Sequence, residues 1–170
     1  FFKRGVMNYF ELFDIPVQLR VDAGQLAPRF FELSRKFHPD YFINESPEVQ
    51  QEALDNSAML NRAWKTFQQP DETLKYVLQL KGLLEEEEKF KLPPDFLMEV
   101  MEINEQLMDG TVDKAAVTAS IDNIQKDIYG PVKEIVEGGA VADLSEEKLL
   151  QVKVYYYKKK YLDRIRKQVV

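Results

Sequence analysis

The chain has few residues able to do chemistry. Its 170 residues include a single histidine, His38, and no cysteine. A disulfide, a thiol nucleophile and a Cys or multi-His site for zinc or an iron–sulfur cluster are therefore excluded. A Ser-His-Asp triad would have to use His38, and no serine sits in a strained G-x-S-x-G turn. No G-x-x-x-x-G-K-[ST] loop is present to cradle nucleotide phosphates. His38 stands in the run Phe37-His38-Pro39-Asp40. Proline fixes φ and cannot continue a helix, and it restricts His38 to extended backbone. The turn thus presents an imidazole and a carboxylate in a stiff arrangement beside Arg35 and Lys36. That arrangement suits ion pairing with a protein surface better than enclosed catalysis. The plain alternative is a capping histidine in an ordinary turn. Zinc would need further strong ligands, and the chain offers only carboxylates. No enzyme activity, cofactor or metal is expected.

The elements that position this turn read as helices. Asn8-Tyr9-Phe10-Glu11 fits a capping box opening a short first helix. Asp22 caps a second, with the apolar stripe Leu26, Phe30, Leu33, Phe37 at spacings of 4, 3 and 4. Arg29, Glu32, Arg35 and Lys36 lie off the stripe, and Pro28 must delay or bend the helix. Ser46-Pro47 opens a long third helix facing inward through Val49, Ala53, Leu60, Ala63, Trp64 and Phe67. Pro70 stops it. Residues 71–81 form a fourth helix closed by Gly82.

Charge then divides the chain. Residues 1–82 carry a net −1, residues 83–150 a net −11 and residues 151–170 a net +6, for −6 in all. The run Glu85-Glu86-Glu87-Glu88 and the pair Pro93-Pro94 make 83–93 read as a solvated linker. Beyond it, 95–109 reads as a helix closed by Gly110. Residues 112–137 read as a helix broken at Gly130-Pro131, with Ala116, Ile121, Ile124, Ile128, Val132 and Ile135 as candidate core. Asp143-Leu144-Ser145-Glu146 opens the last helix. The expected fold is all-α: a small helical unit over 7–82, the linker, and a three-helix bundle over 94–170. No apolar run approaches the ~20 residues of a membrane span. Residues 1–6 lack the apolar core of a signal peptide. Met7 is expected to be the native start, and the protein to be cytoplasmic.

The His-Pro-Asp turn between a partly basic helix and a long one resembles the J-domain, the module that stimulates ATP hydrolysis by DnaK-type chaperones. Asn61-Arg62-Ala63-Trp64-Lys65-Thr66-Phe67, Pro70 and Tyr76-Val77-Leu78 are similar to its third-helix ending and fourth helix. The stretch 7–170 as a whole resembles the HscB-type J-domain co-chaperones of iron–sulfur cluster assembly. The resemblance rests on Asn8-Tyr9-Phe10-Glu11-Leu12-Phe13, the His-Pro-Asp turn, Phe96-Leu97-Met98-Glu99 and Tyr161-Leu162-Asp163-Arg164. Two departures stand out: Glu32 dilutes the basic second helix, and Tyr41 follows the aspartate where a basic residue is common.

The resemblance implies two partners. One is an HscA-type heat-shock ATPase chaperone, docked by His38, Pro39, Asp40, Arg29, Arg35 and Lys36. The other is an IscU-type iron–sulfur scaffold protein, bound by Leu97, Met98, Met101, Glu102, Glu105 and Tyr161. Spacing alone puts the first five of those on one facet of the fifth helix. It leaves open whether Leu97, Met98 and Met101 face a partner or the bundle core. Phe96, Val100, Ile103 and Leu107 are the core candidates of that helix. A J-type co-chaperone with another client, and a helical adaptor without chaperone coupling, remain as alternatives. The basic end around Lys158-Lys159-Lys160 reads as a solvated face rather than a nucleic-acid site.

Overall fold

In a computed structural model, residues 7–110 and 113–169 are described. The expectations that fall on residues 1–6 and on Val112 lie outside them. The protein is all-α. Among the described residues the only extended pairing is an isolated antiparallel bridge between Gln18 and Ala140. The chain divides into two compact units, with the boundary after Val77 inside α4, and the first unit also takes in Ala140–Asp143.

The first unit contains α1 (Tyr9–Leu12), α2 (Ala23–Lys36), α3 (Pro47–Phe67) and the start of α4 (Pro70–Leu80). Each start has a local cause. The Asn8 side chain accepts from the Glu11 N–H at 2.9 Å and its amide donates to the Glu11 carboxylate at 3.2 Å. Asp22 accepts from the Gln25 N–H, and Ser46 accepts from the Val49 N–H ahead of Pro47. Pro28 neither delays nor ends α2. Pro28 and Gly24, whose carbonyl loses its intrahelical donor, are both exposed residues, on the side of the helix that water can reach.

Aromatic rings build this unit's core. Tyr9 stacks on Tyr76 at 4.2 Å, and Phe10 and Phe13 pack on Phe67 at 5.1 and 5.4 Å. The Tyr76 hydroxyl accepts from the Tyr9 N–H at 2.9 Å, and burial pushes that phenol above its ordinary pKa. Phe30 stacks on Trp64 at 4.7 Å, which ties α2 to α3. Leu33 and Phe37 of the expected stripe are buried, while Leu26 and Phe30 are half-buried. At the far end of α4 the Leu83 N–H donates to the Leu78 carbonyl and the Gly82 N–H to the Gln79 carbonyl. This C-cap needs the left-handed φ of +70° that Gly82 adopts. The Val141 N–H donates to the Val17 carbonyl at 2.8 Å, and Val141 is buried.

The second unit contains α5 (Pro94–Met108), α6 (Lys114–Tyr129), a 3-10 turn at Gly130–Val132, α7 (Lys133–Glu137) and α8 (Glu146–Val169). Phe96, Val100 and Ile103 of α5, Val117 and Ile121 of α6, and Leu162, Ile165 and Val169 of α8 form one core. Two expected positions shift. Ala116 is exposed and Val117 buried, because the inward row of α6 runs Val117, Ile121, Ile124, Ile128. After Gly130-Pro131 the inward row becomes Val132 and Val136, leaving Ile135 half-buried. The 3-10 turn at Gly130–Val132 interrupts the α-helical phase, so α7 does not continue the row of α6.

The stretch 83–93 is irregular but not a free connector. Leu84 is buried, and Leu92 packs against the core of α5, α6 and α8. Lys153 of α8 holds both Glu88 carboxylate oxygens, at 2.8 and 3.0 Å, and Phe90 stacks on Tyr157 at 4.4 Å. The Lys153 hydrogen bond holds the Glu88 carboxyl below its ordinary pKa. Burial, with Glu88 alongside, raises the Tyr157 phenol. Charge repulsion within the Glu run is thus answered at Glu88 by a cation from α8.

Candidate functional site

The turn after α2 is held by its own atoms. Buried Phe37 anchors the end of the helix. His38 adopts φ −62°, ψ 129°, the extended backbone that Pro39 imposes. The Asp40 N–H donates to His38 Nδ1 at 3.2 Å and the Tyr41 N–H to the His38 carbonyl at 3.1 Å, within the 3-10 turn Pro39–Phe42. With Nδ1 accepting, the neutral imidazole carries its proton on Nε2. An Asp40 carboxylate oxygen also lies 3.6 Å from Nδ1, a contact that attracts only if the imidazole is protonated. In the neutral state that carboxylate is open to an outside cation, and its side chain is 85% exposed. Arg35 and Lys36 are exposed just before the turn. Arg29 is not equivalent to them: Glu32 takes it in an ion pair at 3.1 Å, so the two charges largely cancel on that stretch of α2.

The second group of residues lies on α5. Leu97, Met98 and Met101 are exposed, together with Glu102 and Glu105, while Phe96, Val100 and Ile103 are buried and Leu107 is half-buried. The three apolar side chains therefore do not face the bundle core. Pro94–Met108 contains no cation, whereas Asp95, Glu99, Glu102 and Glu105 are all acidic. Met98, Glu102 and Gln106 line an open groove with Ser120, Asn123 and Ile124 of α6. Tyr161 behaves differently from its expected partners. It is half-buried and meets Phe96 edge-to-face at 6.1 Å, so it forms part of the bundle wall. Met108, 88% exposed, continues the stripe of Leu97 and Met101. The sequence reading missed it, although its spacing from Met101 is two helical turns.

Among the described residues no group of three or more His, Asp or Glu side chains could hold a metal ion. No described helix is long and apolar enough to cross a membrane.

A helical protein with a His-Pro-Asp turn after its second helix, and an apolar, acidic helix face in a second unit, resembles the J-type co-chaperones. Residues 92–170 match the family model described as the HSCB C-terminal oligomerisation domain. Co-chaperone protein HscB homologues from two Vibrio cholerae serotype O1 strains are 38% identical over 102 residues, 59% of this chain. That match spans 60% of the length of these curated relatives. The crystal structure of human co-chaperone protein HscB superposes with a TM-score of 0.78 at 26% identity, covering 98% of this chain and 82% of that one. Chaperone HscB from Vibrio cholerae gives 0.72 at 27% identity, covering 96% and 95%. Residues 92–170 thus match the HscB C-terminal domain, and over nearly its whole length the chain is similar in fold to HscB structures.

Proposed function

We propose that this protein stimulates the ATPase of an HscA-type chaperone and delivers an IscU-type iron–sulfur scaffold protein to it, in the cytoplasm and without catalysing a reaction itself. Residues 7–82 act as the J-domain that addresses the chaperone, 94–170 hold the client, and 83–93 join them. The observation that carries the first half is the turn itself. Its imidazole is used internally through Nδ1, and its carboxylate is turned out to solvent.

On this reading Asp40 pairs with a chaperone cation. Pro39 and His38 keep the loop in shape, and Nε2–H of His38 adds a donor. Arg35 and Lys36, with Arg29 set back, supply the charge that steers encounter and register. The protein shifts the chaperone toward its hydrolytic state rather than doing phosphoryl chemistry.

The client half rests on the exposed face of α5. Leu97, Met98 and Met101 give apolar area, Glu102 and Glu105 give charge, and Tyr161 borders the same region through Phe96. Apolar side chains exposed together on a helix without cations suit a partner whose surface is apolar with a basic rim. A chain without cysteine has no thiolate for a cluster, so it hands over the scaffold rather than carrying the metal. A steady-state chaperone ATPase assay, with and without the scaffold, tests both halves at once. Synergy between chain and scaffold is expected, and strictly additive stimulation would overturn the delivery role.

A further inference from the structure

Among the described residues only two Phe, Tyr or Trp side chains are exposed, Phe31 at 59% and Tyr41 at 71%. Both flank the His-Pro-Asp turn, one on each side of it in the chain. Elsewhere the rings are packed. Phe30, the neighbour of Phe31, shows the contrast: its ring stacks on Trp64 at 4.7 Å, while Phe31 is turned about 100° further around α2 and outward. Phe31 and Arg35 are four residues apart on α2 and share one exposed face of the helix that leads into the turn. Beyond it, the Tyr41 ring meets the His38 ring edge-on at 6.4 Å. Of the three cations on α2, Arg29 is paired internally with Glu32, which leaves Arg35 and Lys36 nearest the turn.

We propose that Phe31 and Tyr41 are apolar anchors of the chaperone-docking surface, set on either side of the His-Pro-Asp turn. This rests on the co-chaperone reading and adds to it the kind of surface the chaperone must offer. That surface has carboxylates for Arg35 and Lys36, a cation for Asp40, and an apolar recess at each flank. Two observations select this occupant over others: Tyr41 meets the His38 ring while Phe31 stands on α2 two helical turns before it, and the cations Arg35 and Lys36 lie between them in the chain. Aromatic side chains that become fully desolvated in an interface dominate binding, while rim charges mainly set encounter rate.

The test measures chaperone ATPase stimulation against chain concentration, in full-length protein, for wild type, Phe31→Ala, Tyr41→Ala, the double variant, Phe31→Leu, Phe31→Lys and His38→Gln. Both anchors are exposed, so thermal unfolding of these variants should match wild type. Each alanine variant should raise the half-saturating concentration about tenfold, and the double variant more, with the maximal rate unchanged. Phe31→Leu should stay near wild type, and Phe31→Lys should weaken like alanine. A Phe31→Lys variant that binds as well as wild type would mean this face works through charge, and the proposal fails. It fails equally if wild type stimulates, His38→Gln does not, and the double variant stays within twofold of wild type. If wild type gives no stimulation at all, the co-chaperone reading falls and the anchors fall with it.

Discussion

The His-Pro-Asp turn and the outer face of α5 are both exposed, yet they are built in opposite ways. The turn is made by its neighbours in sequence. Pro39 sets the dihedrals of His38, the Asp40 N–H is held by His38 Nδ1, and Phe37 anchors the helix end. Its shape would survive much change elsewhere. The face of α5 has no local cause. Leu97, Met98 and Met101 point outward only because Phe96, Val100 and Ile103 are the ones that meet α6 and α8. A surface of the first kind depends on a few atoms, and one of the second kind depends on a whole core. The two should therefore fail to different substitutions.

The largest effect is expected at the turn. His38→Gln should abolish ATPase stimulation while leaving the melting temperature unchanged, and single-turnover rates equal to wild type would remove the turn from the mechanism. The converse change, Ile121→Ala, empties a fully buried position of the second unit and should cost about 2–5 kcal/mol in denaturant unfolding. It should weaken scaffold binding while stimulation through the turn persists. Loss of both activities together would show that the two surfaces are not independent. A direct truncation of the face, Leu97→Ala with Met101→Ala, should lower scaffold affinity by about 2–3 kcal/mol in titration calorimetry, at roughly 1–1.5 per anchor. Stability should hold, because both side chains are exposed. Adding Tyr161→Ala should also lower the melting temperature, since that ring packs on Phe96.

The smallest effect belongs to the clasp between 83–93 and α8. The folded pKa of Glu88 is lowered by Lys153, so the pair contributes stability above the unfolded carboxylate value. That contribution disappears as pH falls through the folded value, in the window below about pH 4.3. The pair is partly exposed, so Lys153→Met should cost under about 1 kcal/mol at neutral pH and flatten the acid limb of the stability profile. An acid limb identical to wild type would mean that other carboxylates set it.

How much was legible in the sequence follows the same division. Caps at Asn8, Asp22 and Ser46, the break at Gly130-Pro131 and the left-handed Gly82 were all readable, because each is a bond or dihedral within a few residues. The core residues Phe96, Val100 and Ile103 were separable from Leu97 and Met101 by period, but which row faced inward was not. Both rows are apolar, and period marks a row without saying what covers it. Ala116 reads as core although Val117 is the buried residue, since a one-residue shift in register leaves the local pattern almost as good. Met108 is the last residue of α5, where a helical period has no following turn to confirm it.

The sequence by itself determined an all-α chain, a rigid His-Pro-Asp turn after the second helix, and a protein without thiol or clustered-histidine chemistry. Those features depend on side-chain type and on contacts across one or two helical turns. Only the tertiary structure decided that the outer face of α5 is apolar and acidic, that Tyr161 belongs to the bundle wall, and that Arg29 is occupied by Glu32. It also decided that Glu88 and Phe90 are held against α8, and that Val141 returns to pair with Val17. Each of these last two joins residues more than sixty positions apart. No local pattern encodes such a pairing, because its free energy comes from surfaces that meet only once the chain has folded.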